Sequence, residues 1–106
     1  MNAQIKKGVL ELCVLALLER RDWYGYEISD YLVRRIGIAD GTVYPVLRKL
    51  KSNGLLSTYL QEESGGPPRK YYALTELGKE TLTVSREEYL NFSRTVNELL
   101  EGKDND

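Results

Sequence analysis

The sequence predicts a mainly α-helical protein with one small β-hairpin, an α+β fold. Apolar residues recur at helical spacing in three early stretches, which is the pattern of helices packed on a core. One tight turn, Gly-Gly-Pro-Pro at residues 65–68, separates two stretches that are rich in strand-forming residues. A last stretch repeats apolar residues every seven positions, which predicts one long helix. At 106 residues, the chain is the size of a single domain with a modest core.

The first helix is expected from about Ile5 to Arg20. Its apolar residues cover more than one face; they are Val9, Leu10, Leu12, Cys13, Val14, Leu15, Leu17 and Leu18. A helix that is apolar nearly all round is buried on several sides. One face can pack within its own domain, and the surplus suggests a second subunit. The alternative is the central core helix of a monomer.

A second helix is expected from about Tyr26 to Arg35, after a break at residues 21–25. The residues that recur at helical spacing and should face the core are Ile28, Tyr31, Leu32 and Ile36. Gly37 should end this helix, and residues 38–41 should form a turn.

Pro45 constrains the start of the third helix, because proline lacks a backbone donor and is tolerated only in the first turn. With Thr42 as the N-cap no intrahelical bond is lost, whereas with Asp40 one bond is lost. The core-facing positions are Val43, Val46, Leu47 and Leu50, and the projecting ones are Arg48, Lys49 and Lys51. Gly54 should close the helix.

The predicted hairpin comprises a strand over Leu55–Glu62, the turn at residues 65–68 and a return strand over Arg69–Leu74. Alternation along the first strand should place Leu56 and Leu60 on one face. Both glycines of the turn are expected at positive φ. The tip of the hairpin is basic, because the return strand begins with Arg69 and Lys70.

Thr75 should cap a last helix over about Glu76–Glu101, roughly 39 Å long at 1.5 Å per residue. Its apolar stripe, with heptad spacing, predicts a seam for another helix. Two copies would then form a two-fold dimer. The predicted interface residues are Val9, Leu12, Leu82, Tyr89, Phe92, Val96 and Leu99. The alternative is a stripe that packs only within its own chain.

The charge distribution suits a nucleic-acid binder, although the formal net charge is −1. Residues 34–70 carry seven basic and three acidic side chains, whereas residues 71–106 carry four basic and eight acidic ones. The positive charge is therefore concentrated in the third helix and the hairpin. The acidic pI predicts weak non-specific binding that is easily lost with added salt.

The amino-acid composition argues against an enzyme. There is no His for an acid–base pair, and the one Cys, Cys13, lies in an apolar run where it would be a poor nucleophile. The same composition predicts no zinc site, no cofactor and no internal disulfide. The N-terminal run carries Glu11 and is too short to cross a bilayer, so we expect a cytoplasmic protein without a membrane partner.

A basic helix beside a hairpin with a basic tip is the layout of a winged helix-turn-helix, which binds double-stranded DNA through both elements. Five segments carry a closer resemblance: YGYEI (24–28), GTVYPVLRKL (41–50), GLL (54–56), RKYY (69–72) and LTELG (74–78). In this order and spacing, the chain closely resembles the PadR family of bacterial transcriptional regulators. The resemblance runs from about Leu10 to Leu100.

The resemblance implies a dimeric repressor that binds a palindromic operator, with half-sites roughly 34 Å apart. Residues 1–75 would form the DNA-binding domain, 76–101 the dimerisation helix and 102–106 a mobile tail. The DNA contacts implied by position are Tyr26, Thr42, Tyr44, Arg48, Lys49, Lys51, Arg69 and Lys70. Two of these contacts have an alternative: Lys49 could lie on a solvated flank of the helix, and Tyr26 could be a core aromatic between helices.

The resemblance also implies a small aromatic or drug-like effector bound at the dimer centre. The residues implied are Val9, Leu12, Ser85, Tyr89 and Phe92. Drug-sensing members favour Trp at about the position of Tyr89, so this chain departs from the pattern and offers a smaller ring for stacking. The alternative is that Tyr89 and Phe92 only fill the interface.

A winged-helix module that docks proteins rather than DNA is the rival function, because fold alone does not determine function. The net charge would suit that role. Against it, a protein-docking version should present apolar side chains where Arg48, Lys51, Arg69 and Lys70 are expected.

Overall fold

The computed structural model describes residues 3–62 and 65–104, with side chains from Gly8 onward. The elements in chain order are α1 (Ala3–Arg20), β1 (Trp23–Tyr24), α2 (Gly25–Ile36), α3 (Val43–Ser52), β2 (Leu56–Gln61), β3 (Arg69–Leu74) and α4 (Glu76–Glu101). This confirms the predicted mainly helical fold with a hairpin. Glu63, counted among the acidic residues above, and the last two residues of the predicted tail lie outside the described residues.

Helix α1 runs through the centre of the protein and packs against α3, α4 and β3. The core is formed by Leu10, Val14, Leu15, Leu17, Leu18, Trp23, Ile28, Leu32, Val43, Val46, Leu47, Leu50, Leu56, Tyr72 and Leu82. The Trp23 indole N–H donates to the carbonyl oxygen of Leu17 at 3.0 Å, so the buried ring has its polar atom satisfied. Val9 and Leu12 are only half-buried, and Leu12 packs against the edge of the core.

Helices α2 and α3 form the helix-turn-helix. Gly37, at φ 77°, ends α2 as predicted, and its N–H donates to the carbonyl oxygen of Val33. The prediction that Ile36 faces the core is wrong, because its side chain is 42% exposed. Ile36 lies in the last turn of α2, beyond the reach of the core, and Ile38 of the following turn packs against the core instead.

The sheet has three strands in the order β1-β3-β2, all antiparallel. The hairpin was predicted but β1 was not, because two residues carry no periodic signal. Leu56 and Leu60 lie on one face of β2, as predicted, where Leu56 is buried and Leu60 is 69% exposed. Leu60 is exposed because the outer half of the hairpin extends past the core. Of the two turn glycines, only Gly65 has a positive φ, of 81°.

Helix α4 is anchored to the α3–β2 turn through Thr75. The Thr75 hydroxyl accepts the N–H of Gly78 at 3.0 Å, which confirms the predicted N-cap, and donates to the carbonyl oxygen of Gly54 at 2.7 Å. Gly78 lets the first turn of α4 approach Leu55 closely. Among the described residues, no helix has the length and apolar character needed to span a membrane.

Candidate nucleic-acid interface

One face of α3 is exposed to solvent. Tyr44, Arg48 and Lys51 lie on it, spaced four and three residues apart. The opposite face, with Val43, Val46, Leu47 and Leu50, is buried in the core. Thr42 occupies the N-cap position, so Pro45 is the third helical residue and costs no helical hydrogen bond. The Thr42 hydroxyl donates to the carbonyl oxygen of Ala39 at 2.7 Å and closes the turn instead of capping the helix.

A cleft of about 390 Å³ opens between α3, the start of α2 and β3. It is lined by Tyr24, Gly25, Tyr26, Tyr44, Arg48, Lys70 and Tyr72. Two of these residues are cationic and four are tyrosines. None of the described residues that line the cleft is acidic, so it can accept an anion without like-charge repulsion.

The wall of the cleft is shaped by Gly25 and Tyr72. A Cβ atom at Gly25 would lie 3.1 Å from Cε1 of the Tyr72 ring, so a larger residue at the start of α2 would require that ring to shift by a few tenths of an ångström. Tyr72 is almost fully buried, and burial raises the pKa of its hydroxyl, while the positive charge of Arg48 acts in the opposite direction. The Tyr24 N–H donates to Oε1 of Glu27 at 3.1 Å and holds the start of α2.

The structure brings four of the predicted DNA-binding residues together in this cleft: Tyr26, Tyr44, Arg48 and Lys70. Tyr26 is 60% exposed, which removes the alternative of a core aromatic. Sequence reasoning missed Tyr24, Gly25 and Tyr72 as lining residues. All three residues belong to segments that carry the family resemblance, YGYEI (24–28) and RKYY (69–72), but neither segment indicates that they line a cleft.

Two predicted residues lie apart from the cleft. Lys49 points to α1, where its Nζ pairs with Oε1 of Glu11 at 2.8 Å. This ion pair joins α3 to α1 and leaves the Lys49 side chain 48% exposed, so its contact with DNA stays a prediction. Lys51 is exposed in the last turn of α3, outside the cleft lining.

Arg69 lies on the outer face of the sheet, with a row of aromatic side chains. Its guanidinium lies 5.0 Å from the centroid of the Tyr24 ring. Tyr59 stacks on Tyr71 with 5.7 Å between centroids, and Tyr71 lies 6.1 Å from Tyr24. The Tyr59 hydroxyl donates to Oδ2 of Asp22 at 2.7 Å, and this hydrogen bond raises the pKa of Tyr59.

The predicted dimer and effector residues are mostly accessible in the single chain. Phe92 is 67% and Leu99 58% exposed, Tyr89 is 40% exposed, and Val9, Leu12, Ser85 and Val96 are half-buried. Leu82 is a correction, because it has no exposed surface and belongs to the core of its own chain. A groove of about 340 Å³ along α4 is lined by Ser85 but by none of the other predicted effector residues. Within the described part of the chain, no group of His, Cys, Asp and Glu could hold a metal ion.

Comparison with known proteins identifies the family. The model of the transcriptional regulator PadR-like family matches residues 14–84. An uncharacterized protein of Lysinibacillus sphaericus is 31% identical, with 96% of this chain and 97% of that protein covered. The negative transcriptional regulator PadR of Bacillus subtilis is 30% identical over 70% of this chain, but the match covers only 43% of that protein.

Solved structures match over nearly the whole chain. The protein smu.1704 of Streptococcus mutans is 36% identical with a TM-score of 0.85, covering 94% of this chain and 93% of its own. A PadR-like transcriptional regulator of Bacillus cereus is 37% identical with a TM-score of 0.82, covering 92% of this chain and 97% of its own. These two likenesses extend beyond the helix-turn-helix and the hairpin to most of α4.

Proposed function

This chain belongs to the PadR-like family of transcriptional regulators, and on that premise we propose that it is a dimeric repressor that binds a specific palindromic operator. It is a transcriptional regulator rather than an enzyme. The mode of DNA binding, the dimer, repression and a response to an effector are the parts that we propose.

The observation that carries the proposal is the convergence of Arg48 and Lys70 on one cleft. They come from α3 and from the hairpin, and the lining between them is tyrosine and glycine. A backbone phosphate is the anion that a DNA duplex would present there, and Arg and Lys with tyrosine hydroxyls are its usual donors. With α3 in the major groove, Tyr44 and the N-terminal turn would meet base edges.

Dimerisation is supported by the outer half of α4. Its exposed apolar stripe, with Phe92 and Leu99, continues past the part of α4 that packs on α1. An apolar stripe with heptad spacing on a protruding helix is suited to pairing with a second copy. A two-fold dimer would present two copies of α3 to half-sites about one helical turn apart.

Repression is supported by the Bacillus subtilis relative, which is described as a negative transcriptional regulator. A small aromatic effector would bind where the two copies meet, between Tyr89 and Phe92 of α4 and Val9 and Leu12 of α1. All four side chains are at least partly accessible in the single chain. Binding there would release DNA by changing the separation of the two copies of α3.

The test is binding of the purified protein to DNA from its own promoter region, across a salt series, with two matched variants. Arg48→Ala and Lys49→Ala remove one positive charge each from adjacent positions of α3. We expect Arg48→Ala to lose specific binding by about tenfold or more, as expected for one charge-assisted contact. Lys49→Ala should stay within about threefold of the wild type, because the Lys49 ammonium is paired with Glu11.

Equal losses in both variants would mean that binding follows net charge alone and that the cleft is not the DNA site. A wild type with no preference over random DNA would remove specific DNA binding. The rival function, a module that docks proteins, would then be favoured.

A further inference from the structure

The outer half of the hairpin has little core beneath it. On the inner face of the sheet, Tyr72 is buried, whereas Leu60 and Lys70, which pair with each other across the strands nearer the tip, are exposed. Strand β1 is two residues long and pairs only with the inner part of β3, at Tyr71 and Tyr72. A two-stranded ribbon is marginally stable by itself. The outer end of the hairpin, which carries Lys70, therefore depends on contacts outside the core for its stability.

The outer face provides such a support. Tyr59, Tyr71 and Tyr24 come from β2, β3 and β1, so their rings form a row across all three strands. Tyr59 and Tyr71 are direct cross-strand partners, and their rings are nearly parallel at an interplanar angle of 16°. Cross-strand aromatic pairs of this kind stabilise a ribbon.

At the β2 end of the row, the Tyr59 hydroxyl is hydrogen-bonded to a residue outside the hairpin. Asp22, which accepts the hydroxyl of Tyr59 at 2.7 Å, lies just before β1 and outside the hairpin. A hydrogen bond to a carboxylate is shorter and stronger than one between neutral groups. Tyr24 belongs to the row and also lines the cleft, so the row reaches from the hairpin to the start of α2.

We propose that this row, which we call the tyrosine brace (Tyr59, Tyr71 and Tyr24, tied to Asp22), is a positioning device for DNA binding. It holds the hairpin at one height over α3, so that Lys70 stays across the cleft from Arg48. Its members act through Lys70 and need not touch DNA. The proposal rests on the proposed DNA-binding function, and it adds Tyr59 and Tyr71, which lie on the opposite face of the sheet from Lys70.

The first test needs no DNA. Amide hydrogen exchange of the free protein is compared between wild type, Tyr59→Phe and Tyr59→Ala. We expect faster exchange at residues 59–61 and 69–71 in Tyr59→Ala, with Tyr59→Phe between the two, because Phe keeps the stack but loses the bond to Asp22. Unchanged exchange in both variants would overturn the brace.

The second test is a double-mutant cycle on operator affinity with Tyr59→Ala and Lys70→Ala. We expect Tyr59→Ala to weaken binding by about tenfold in the wild-type background, the order of one charge-assisted contact. With Lys70→Ala already present, the same change should cost less than about twofold, because no ammonium remains to be positioned. Equal losses in both backgrounds would overturn a role through Lys70.

Tyr31→Ala is the control for general destabilisation. The ring centroids of Tyr31 and Trp23 lie 5.5 Å apart in an edge-on arrangement. Tyr31 belongs neither to the brace nor to the lining of the cleft. It should lower the unfolding temperature without faster exchange confined to the hairpin. If the wild type binds no operator, the proposed function fails, and the exchange experiment alone decides whether the brace supports the hairpin.

Discussion

Arg69 and Lys70 are consecutive residues of β3, yet they lie on opposite faces of the sheet. Lys70 lines the cleft beside Tyr72, whereas Arg69 lies over the Tyr24 ring on the outer face. Alternation along a strand makes this separation unavoidable. The sequence prediction assigned both residues to DNA, but the geometry gives them different surroundings.

Lys70→Ala and Arg69→Ala should therefore differ in the salt dependence of DNA binding. We expect Lys70→Ala to reduce the slope of log K against log salt by about 0.9, the value for one phosphate contact. Arg69→Ala should change it by less than half as much. Fluorescence anisotropy with operator DNA at several salt concentrations measures both slopes. Equal reductions would mean that both faces of the hairpin contact DNA.

Phe92→Asp should split the dimer, because an unpaired carboxylate would be buried at the seam between two copies of α4. The matched control is Leu90→Asp. Leu90 is 52% exposed and lies two positions away, on the other side of the helix. Sedimentation or light scattering should give a monomer for the first variant and a dimer for the second. A dimer in both would place the seam elsewhere.

Gly78→Ala should destabilise the protein by about 1–3 kcal/mol, because a Cβ atom there would collide with the carbonyl oxygen of Leu55. The control is Gly8→Ala on α1, where a Cβ would meet nothing within 4 Å. It should be neutral or stabilising by up to about 1 kcal/mol through helix propensity. Thermal unfolding measures both. A tolerated Gly78→Ala would mean that α4 can shift away from the α3–β2 turn.

The ion pair between Arg86 and Glu19 should make stability depend on pH. The hydrogen bond from Arg86, at 2.8 Å, lowers the pKa of the Glu19 carboxyl from its ordinary 4.5. A lowered folded pKa stabilises the protein above the ordinary pKa, and this contribution is lost as pH falls through the folded value.

Glu19→Gln and Arg86→Met should each remove this contribution. Both variants should be less stable than the wild type above about pH 5, with the difference shrinking toward acid. Thermal unfolding from pH 3 to 7 at low salt measures it. A constant difference across that range would mean that the pair does not couple stability to the ionisation of Glu19.

Local signals in the sequence determined much of the fold. The return strand Arg69–Leu74 and the last helix Glu76–Glu101 have the predicted bounds, because turn residues, an N-cap and heptad spacing are readable without the rest of the chain. Pro45 likewise narrowed the N-cap of α3 to Thr42 or Asp40, and the structure has Thr42 there. The exposed positions of α3 follow from these bounds, since a side chain's direction around a helix follows from its spacing.

Only the tertiary structure decided which of these side chains contact another helix or strand. Ile36 and Leu60 have core-like spacing but lie past the end of the core, while Leu82 sits where α4 is still covered by its own chain. Lys49 pairs with Glu11 on α1, thirty-eight positions away in the chain. Periodicity gives the direction of a side chain around its own element. Whether a partner lies in that direction depends on where distant elements end, and this is why the cleft and the tyrosine brace emerge only in the folded chain.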